Sequence, residues 1–203
     1  MKLMAGSKVQ QILKIVNREG TIRARDLNAY GIERVYLKRM SDRGLIEHVG
    51  RGLYSLPNAA PTENHTIAEV AKRVPRGVVC LLSALKFHGL TTQLPFEVWC
   101  AIEEKARRPR IDRPMMHFVR FSGLAFEAGV EEHKIEGVTV KIYSPAKTVA
   151  DCFKYRNKIG IDIAIEALRE CRRQRKCSND ELWHYAKICR VANVMKPYLE
   201  VIM

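Results

Sequence analysis

The first third of the chain carries three stretches in which apolar residues recur at helical spacing, followed by two short strand-like runs. In chain order, these stretches are residues 9–16, 25–30, 33–43, 45–49 and 53–56. The last two flank Gly50-Arg51-Gly52, a sequence that suits the turn of a tight hairpin. Three helices followed by a hairpin are the element order of a winged helix-turn-helix, which we therefore predict.

The rest of the chain mixes helical and strand periodicity. Prolines and turn formers concentrate between residues 55 and 64, so we predict a domain boundary near residue 60. The fold class expected is α+β: a winged helix-turn-helix over 1–60, then an α+β domain over 61–203 with a small sheet and C-terminal helices. Strands are expected at 96–102, 117–121 and 138–143, and helices at 67–74, 77–90, 161–174, 178–192 and from Ser144-Pro145 onwards.

The chain is strongly and unevenly basic. It has 35 Lys and Arg against 22 Asp and Glu, a formal net charge of +13. Such an excess favours polyanionic partners, because basic side chains displace counterions from phosphates. Residues 1–60 hold 11 basic and 5 acidic side chains, so nearly half of the excess lies on less than a third of the chain. A nucleic-acid surface is expected there, whereas solubility alone also explains the excess in the larger domain.

Other classes are disfavoured by the composition. No apolar run approaches the roughly 18–20 residues that a membrane helix needs, and no apolar stretch after Lys2 resembles a signal peptide. We therefore expect a cytoplasmic protein whose six cysteines are buried free thiols. The spacing of Cys171, Cys177, His184 and Cys189 matches no standard zinc site, so we expect neither a metal nor a cofactor.

The predicted third helix has a polar face that suits DNA. Leu37 and Met40 are expected in the core, and the opposite face would enter a major groove. Arginine can pair there with guanine, and an exposed valine can touch a thymine methyl group. Arginines near the second helix and at the hairpin tip would contact the DNA backbone. The expected DNA-binding residues are Arg23, Arg25, Arg34, Val35, Lys38, Arg39 and Arg51.

The residues leave alternatives open. Glu103 and Lys105 follow a predicted strand, as in some metal-dependent nucleases, with Glu97 as the nearby second carboxylate. A winged helix can also serve as a protein-contact module. Basic clusters at 105–113, expected to be a mobile loop, and at 169–176 would extend a nucleic-acid footprint. The additional contacts considered in the first cluster are Lys105, Arg107, Arg108 and Arg110.

Three motifs stand out along the chain: Gly50-Arg51-Gly52-Leu53-Tyr54, Leu82-Ser83-Ala84-Leu85 with Gly89-Leu90, and Ser144-Pro145-Ala146-Lys147-Thr148-Val149-Ala150-Asp151. Together they resemble the AbiEi antitoxin family, the DNA-binding antitoxins of type IV toxin–antitoxin and abortive-infection systems. The similarity extends over nearly the whole chain, and the last motif is the most specific. Lys147 and Asp151 are expected to form a surface ion pair, or to belong to a functional surface.

The resemblance implies two roles. The N-terminal domain would repress its own promoter by binding inverted repeats in double-stranded DNA. The sequence leaves open whether the protein is a monomer that pairs only on DNA. The C-terminal domain would counteract a nucleotidyltransferase-like toxin without needing a stable complex. The family offers no catalytic motif to place here, so we expect no enzyme. The alternatives are the metal-dependent nuclease and a transcriptional regulator that is not an antitoxin.

Overall fold

The computed structural model describes residues 3–50, 52–57 and 63–202, and for residues 3–7, 18, 19, 21 and 202 it describes the backbone alone. Contacts divide the chain into two compact units. The first comprises Met1–Arg73 with Lys134–Thr139, and the second comprises Val74–His133 with Val140–Met203. The boundary expected near residue 60 lies outside the described residues and stays a prediction.

The first unit combines helices with a three-stranded antiparallel sheet. Its main elements are α1 (Leu3–Glu19), β1 (Thr21–Arg23), a 3₁₀ helix (Asp26–Tyr30), α2 (Val35–Asp42), β2 (Glu47–Gly50), β3 (Leu53–Ser55) and α3 (His65–Arg73). The strand order is β1-β3-β2, so the β2–β3 hairpin also pairs with the extended segment after α1. The second predicted helix is thus a 3₁₀ helix, which Gly31 ends in the left-handed conformation with a φ of 62°.

The core of the first unit draws on α1 and α2. Ile12 and Val16 of α1 and Leu37 of α2 have no exposed surface, and Met40 is 1% exposed. Each such side chain contributes about 1.5–3 kcal/mol relative to an exposed position. The burial of Leu37 and Met40 confirms the predicted core face of α2, and it fixes which face of this helix meets solvent.

The remaining elements give the chain its second, larger sheet and most of its helices. They are β4 (Val78–Val79), α4 (Leu81–His88), β5 (Val98–Glu103), β6 (Met116–Phe121), α5 (Leu124–Glu127), β7 (Val130–Ile135), β8 (Val138–Tyr143), α6 (Pro145–Lys154), α7 (Arg156–Ile159), α8 (Ile161–Arg173), α9 (Asn179–Ile188) and α10 (Ala192–Ile202). The sheet has the order β6-β5-β4-β8-β7, with β4 antiparallel to β5 and parallel to β8. The α+β class is confirmed, with five strands in this sheet.

One predicted helix was wrong in its first part. The stretch 77–90 contains the short strand β4 before α4 begins at Leu81, because Val78 and Val79 pair with β5. A short buried strand and a buried helical segment are equally apolar, so periodicity does not separate them. The end of α4 agrees with the expectation, since Gly89 caps it in the left-handed conformation.

The helix α6 lies deep in the second unit. Ser144 accepts a hydrogen bond from the Lys147 backbone N–H at its N-terminus, and Pro145 follows in the first turn, as predicted. All residues from Ala146 to Phe153 are buried, and α6 packs against α4, α8 and α9. The expectation of a surface pair is therefore wrong: Lys147 and Asp151 are 0% and 1% exposed.

The buried pair is held from several sides. Lys147 Nζ lies 2.7 and 2.6 Å from the two carboxylate oxygens of Asp151, and 4.2 Å from the centre of the Tyr143 ring. The Cys189 thiol donates to the same carboxylate at 3.2 Å. Gly129, with a φ of 74°, makes room for the Lys147 stem, since an added Cβ would lie 2.8 Å from Lys147 Cβ.

The cysteines differ in part from the expectation. Cys171 and Cys177 form a disulfide, with their Cα atoms 6.0 Å apart, so the prediction of free thiols was wrong for this pair. Cys171 lies near the end of α8, and the chain after the helix turns back so that Cys177 comes close to it. The spacing of the two cysteines in the sequence does not by itself predict this turn. The other four cysteines are free and buried: Cys80, Cys100, Cys152 and Cys189. Within the described part of the chain, none of the helices is long and apolar enough to cross a membrane.

Candidate nucleic-acid interface

The outer face of α2 carries the residues that the sequence singles out for DNA. Lys38 and Arg39 are exposed, Val35 is 43% exposed, and Arg34 is exposed at the N-cap position of the helix. At 100° per residue, the side chains of Val35, Lys38 and Arg39 project within an arc of about 100°. The exposed Asp42 shares this arc, so the face is basic but not uniformly so.

Tyr36 links this face to the first helix. Lys8 Nζ lies 5.4 Å from the centre of the Tyr36 ring, and Arg39 Cζ lies 6.0 Å from it. Cation–π contacts of this kind orient a long side chain without removing its charge. Lys8 therefore extends the basic face of α2. No local pattern in the sequence signals Lys8, because only the packing of α1 near α2 brings it to this face.

Arg23 and Arg25 lie around the turn that leads into the 3₁₀ helix. The Asp26 carboxylate accepts a hydrogen bond from the Arg23 backbone N–H at 2.9 Å and lies 3.8 Å from Arg25 Nε. Burial, followed by the neighbouring charge of Arg25, lowers the pKa of Arg23. Arg25 is exposed, whereas Arg23 is half-buried. Asp26 thus offsets part of the positive charge and fixes the local backbone.

The β2–β3 hairpin follows α2 as predicted. His48 and Tyr54 face each other across it with ring centres 5.1 Å apart, and Gly52 adopts a φ of 70° in the turn. The Ala24 backbone N–H donates to the Gly52 carbonyl at 3.1 Å, which ties the turn to the end of β1. Arg51, expected at the tip, lies outside the described residues.

The basic cluster at 105–113 follows β5. Lys105, Arg107, Arg108 and Arg110 are all exposed. The beginning of the cluster is anchored, because Arg120 of β6 donates from Nη1 to the carbonyl oxygens of Glu104 and Ala106. Arg108 Cζ lies 5.5 Å from the centre of the Phe118 ring. These contacts hold the beginning of the cluster, and the mobility expected of the loop stays a prediction.

The carboxylates of the nuclease alternative are far apart. Glu97 precedes β5 and Glu103 ends it, so at about 3.3 Å per residue they are about 20 Å apart along the strand. Glu97 instead accepts a hydrogen bond from His117 Nδ1 at 3.0 Å. Among the residues that the structure describes, no group of three or more His, Cys, Asp and Glu side chains could hold a metal ion. The geometry gives no support to a two-carboxylate centre at this strand.

His88 and two of the cysteines considered for a zinc site have structural contacts in the second unit. His88 is buried, and its Nε2–H donates to the Tyr143 carbonyl at 2.8 Å. Burial lowers the pKa of His88, so this is a core histidine that is neutral at pH 7. Cys171 and Cys177 are joined in the disulfide.

Comparison with known proteins finds a match to part of the first unit. Residues 10–57 match the model of a family of transcriptional regulators, and these residues contain the 3₁₀ helix, α2 and the β2–β3 hairpin. The family is described as "Transcriptional regulator, AbiEi antitoxin". The match confirms, over this segment, the family resemblance that the sequence motifs indicate. No curated protein matches the chain.

Proposed function

We propose that this protein is an antitoxin that represses its own promoter by binding inverted repeats in double-stranded DNA. The observation that carries the proposal is the coincidence of the regulator match with the exposed basic face of α2. In this proposal α1, the 3₁₀ helix, α2 and the hairpin act as a winged helix-turn-helix, residues 1–60 forming its domain. The protein works in the cytoplasm, where promoter DNA is accessible.

The proposed docking places α2 in the major groove. Arg34, Lys38 and Arg39 would face base edges or phosphates, and Val35 would touch a thymine methyl group. Arg23, Arg25 and Arg51 would contact the phosphate backbone from the segments on either side of α2. Lys8 joins the same face through Tyr36. Two copies on inverted repeats would present two such faces to successive turns of the DNA.

Substitution of α2 tests the DNA-binding surface. Lys38→Ala and Arg39→Ala should each weaken binding to the upstream duplex of the gene by about tenfold or more, because each removes a contact to a base or phosphate. Lys14→Ala is the matched control, since Lys14 is an exposed lysine of α1 in the same unit. Fluorescence anisotropy at several salt concentrations measures both affinity and the number of phosphate contacts.

The outcome separates three possibilities. Loss of affinity in the α2 variants, with Lys14→Ala unchanged, supports the docking. Equal binding by all four proteins refutes the assignment of α2 to DNA. If the wild-type protein does not bind promoter DNA even at low salt, the first unit is a protein-contact module instead.

The antitoxin role is proposed for residues 61–203, which would counteract a nucleotidyltransferase-like toxin without a stable complex. Full-length protein carrying both Lys38→Ala and Arg39→Ala should still rescue growth when co-expressed from a foreign promoter with the toxin encoded beside it. Rescue with lost promoter binding shows that the two roles are separable. Failure of the wild-type protein to rescue growth leaves a regulator that is not an antitoxin.

A further inference from the structure

A cavity of about 320 Å³ in the second unit combines aromatic with cationic side chains. Trp99 of β5 and His117, Phe118 and Arg120 of β6 line one part of it. Arg108 and Lys158 also line it, and they come from the basic cluster after β5 and from α7. Its volume is at the lower end of the range of about 300–1,000 Å³ that small-molecule sites occupy. The cavity therefore suits a ligand of modest size.

The aromatic part of the cavity is already ordered as a platform. The His117 ring stacks on Trp99, with ring centres 3.8 Å apart and planes inclined by 20°. Glu97 fixes this ring through the 3.0 Å hydrogen bond to Nδ1. The His117 side chain is 40% exposed, so a planar ligand can reach it. A nucleobase would extend the stack at little cost in side-chain entropy, because the platform is held before binding.

The cationic side chains of the cavity contact aromatic rings and backbone carbonyls, which do not neutralise their charge. Arg108 Cζ lies 5.5 Å from the centre of the Phe118 ring, and Lys158 Nζ lies 5.6 Å from that of Tyr155. Arg120 is oriented by backbone carbonyls. In the described part of the chain, none of these three forms an ion pair with a carboxylate. Three positive charges without acidic partners around one cavity favour a phosphate.

We propose that this cavity binds one nucleotide unit, with the base on the His117–Trp99 stack and the phosphate between Arg108 and Lys158. The site is separate from the surface of α2 and does not depend on the proposed repression of the promoter. A free nucleotide and one residue of a single-stranded nucleic acid share this chemistry. An acidic peptide would use the cations but not the stacking platform, which favours the nucleotide.

The experiment uses full-length protein carrying Lys38→Ala and Arg39→Ala, so that binding through α2 does not mask the cavity. Trp183→Phe leaves Trp99 as the sole tryptophan and reporter. AMP, UMP, single-stranded oligonucleotides, inorganic phosphate and an oligoglutamate peptide are titrated separately. Equilibrium dialysis on protein that retains Trp183 checks each dissociation constant. We expect saturable quenching of Trp99 by nucleotides at concentrations at which phosphate and the peptide have no effect.

Substitutions then assign the contacts. Arg108→Ala and Lys158→Ala should each weaken nucleotide binding about tenfold or more, because each removes a charge-assisted contact to phosphate. His117→Ala should weaken it about 5- to 100-fold, the usual effect of losing a stacking partner. Arg107→Ala is the matched control, because Arg107 is exposed beside Arg108 but does not line the cavity. Thermal melting checks that each variant is folded.

The source of the nucleotide follows from which ligand saturates. Saturation by AMP or UMP identifies a free-nucleotide site, and saturation by oligonucleotides alone identifies a single-stranded nucleic-acid site. The proposal is refuted if no nucleotide or oligonucleotide binds, if phosphate or oligoglutamate binds as tightly as the nucleotides, or if the cavity variants behave like Arg107→Ala.

Discussion

The buried pair of Lys147 and Asp151 makes a quantitative prediction. At 2.6 Å and an effective dielectric constant of about 20, two unit charges attract each other by about 6 kcal/mol. Desolvation of both ions offsets much of this, so the pair as a whole contributes little. Removing only one partner is different, because the other charge stays buried without compensation. Lys147→Met and Asp151→Leu should therefore each lower the free energy of unfolding by about 3–5 kcal/mol.

The double variant should behave in the opposite way. With both charges replaced by apolar side chains, no ion is left buried, and stability should return close to that of the wild-type protein or exceed it by about 1–4 kcal/mol. The two single effects would then add up to far more than the double effect. This non-additivity is the signature of a desolvated pair, since independent sites add.

The assay is equilibrium unfolding in guanidinium chloride, followed by tryptophan fluorescence. Trp99 and Trp183 are the two tryptophans of the chain, and both lie in the second unit, so the signal reports on the unit that contains the pair. Lys196→Met, with and without Glu200→Leu, is the matched control. That pair has the same spacing at 3.9 Å, but its side chains are 61% and 56% exposed. Its loss should cost about 0.5 kcal/mol or less.

Two results would refute the reasoning. If Lys147→Met costs no more than Lys196→Met, the ammonium group is hydrated in solution and the pair is not buried. If the effects of Lys147→Met and Asp151→Leu simply add, the two charges do not compensate each other.

Three further predictions concern the same unit. The native protein should expose no thiol to a colorimetric reagent, because Cys80, Cys100, Cys152 and Cys189 are buried and burial raises their pKa, to about 12 for Cys100 and Cys189. Four thiols should react after unfolding, and six after the disulfide is also reduced. A thiol that reacts rapidly in the native protein would contradict this. Burial lowers the pKa of His88, so the neutral ring stabilises the fold at pH values above the pKa of an unfolded histidine, about 6.5. This stabilisation should be lost as the pH falls from there through the lowered pKa of the folded state. In His88→Gln, unfolding midpoints measured between about pH 7.5 and 5 should depend less on pH. Ser178→Ala should cost about 1 kcal/mol by removing the capping box with Glu181, and an unchanged unfolding midpoint would contradict that role.

The sequence predicted best where local pattern and tertiary structure agree. Leu37 and Met40 recur at helical spacing and are buried, which leaves the predicted basic face of α2 outside. Ser144 and Pro145 start α6 because their capping and steric properties are local. The strand predicted at 138–143 has the bounds of β8, since Val138, Val140 and Ile142 are buried between the more exposed Thr139 and Lys141.

Predictions from the sequence were least accurate where contacts between distant segments determine the burial or position of a side chain. Charge alone predicts that Lys147 is exposed, whereas contacts with segments distant in sequence, Gly129 among them, enclose it. The His117–Trp99 stack joins β5 to β6, and Lys158 approaches from α7, so no single window of sequence contains the cavity. Lys8 likewise joins the α2 face through the packing of α1.

The motif Ser144–Asp151, the most specific of the three, lies mostly within the buried helix α6. Its burial limits what kind of shared function the motif can indicate. Side chains from Ala146 to Phe153 are enclosed, so they cannot touch a toxin or a nucleic acid while the second unit is folded. What they determine is the position of α6 among α4, α8 and α9. A motif of this kind indicates a shared core rather than a shared contact surface. Direct contacts of the second unit therefore use exposed residues elsewhere. Among the described residues, Arg108, Arg120 and Lys158 line the cavity beside β5 and β6 without a carboxylate partner, so we expect the contact with a nucleotide there.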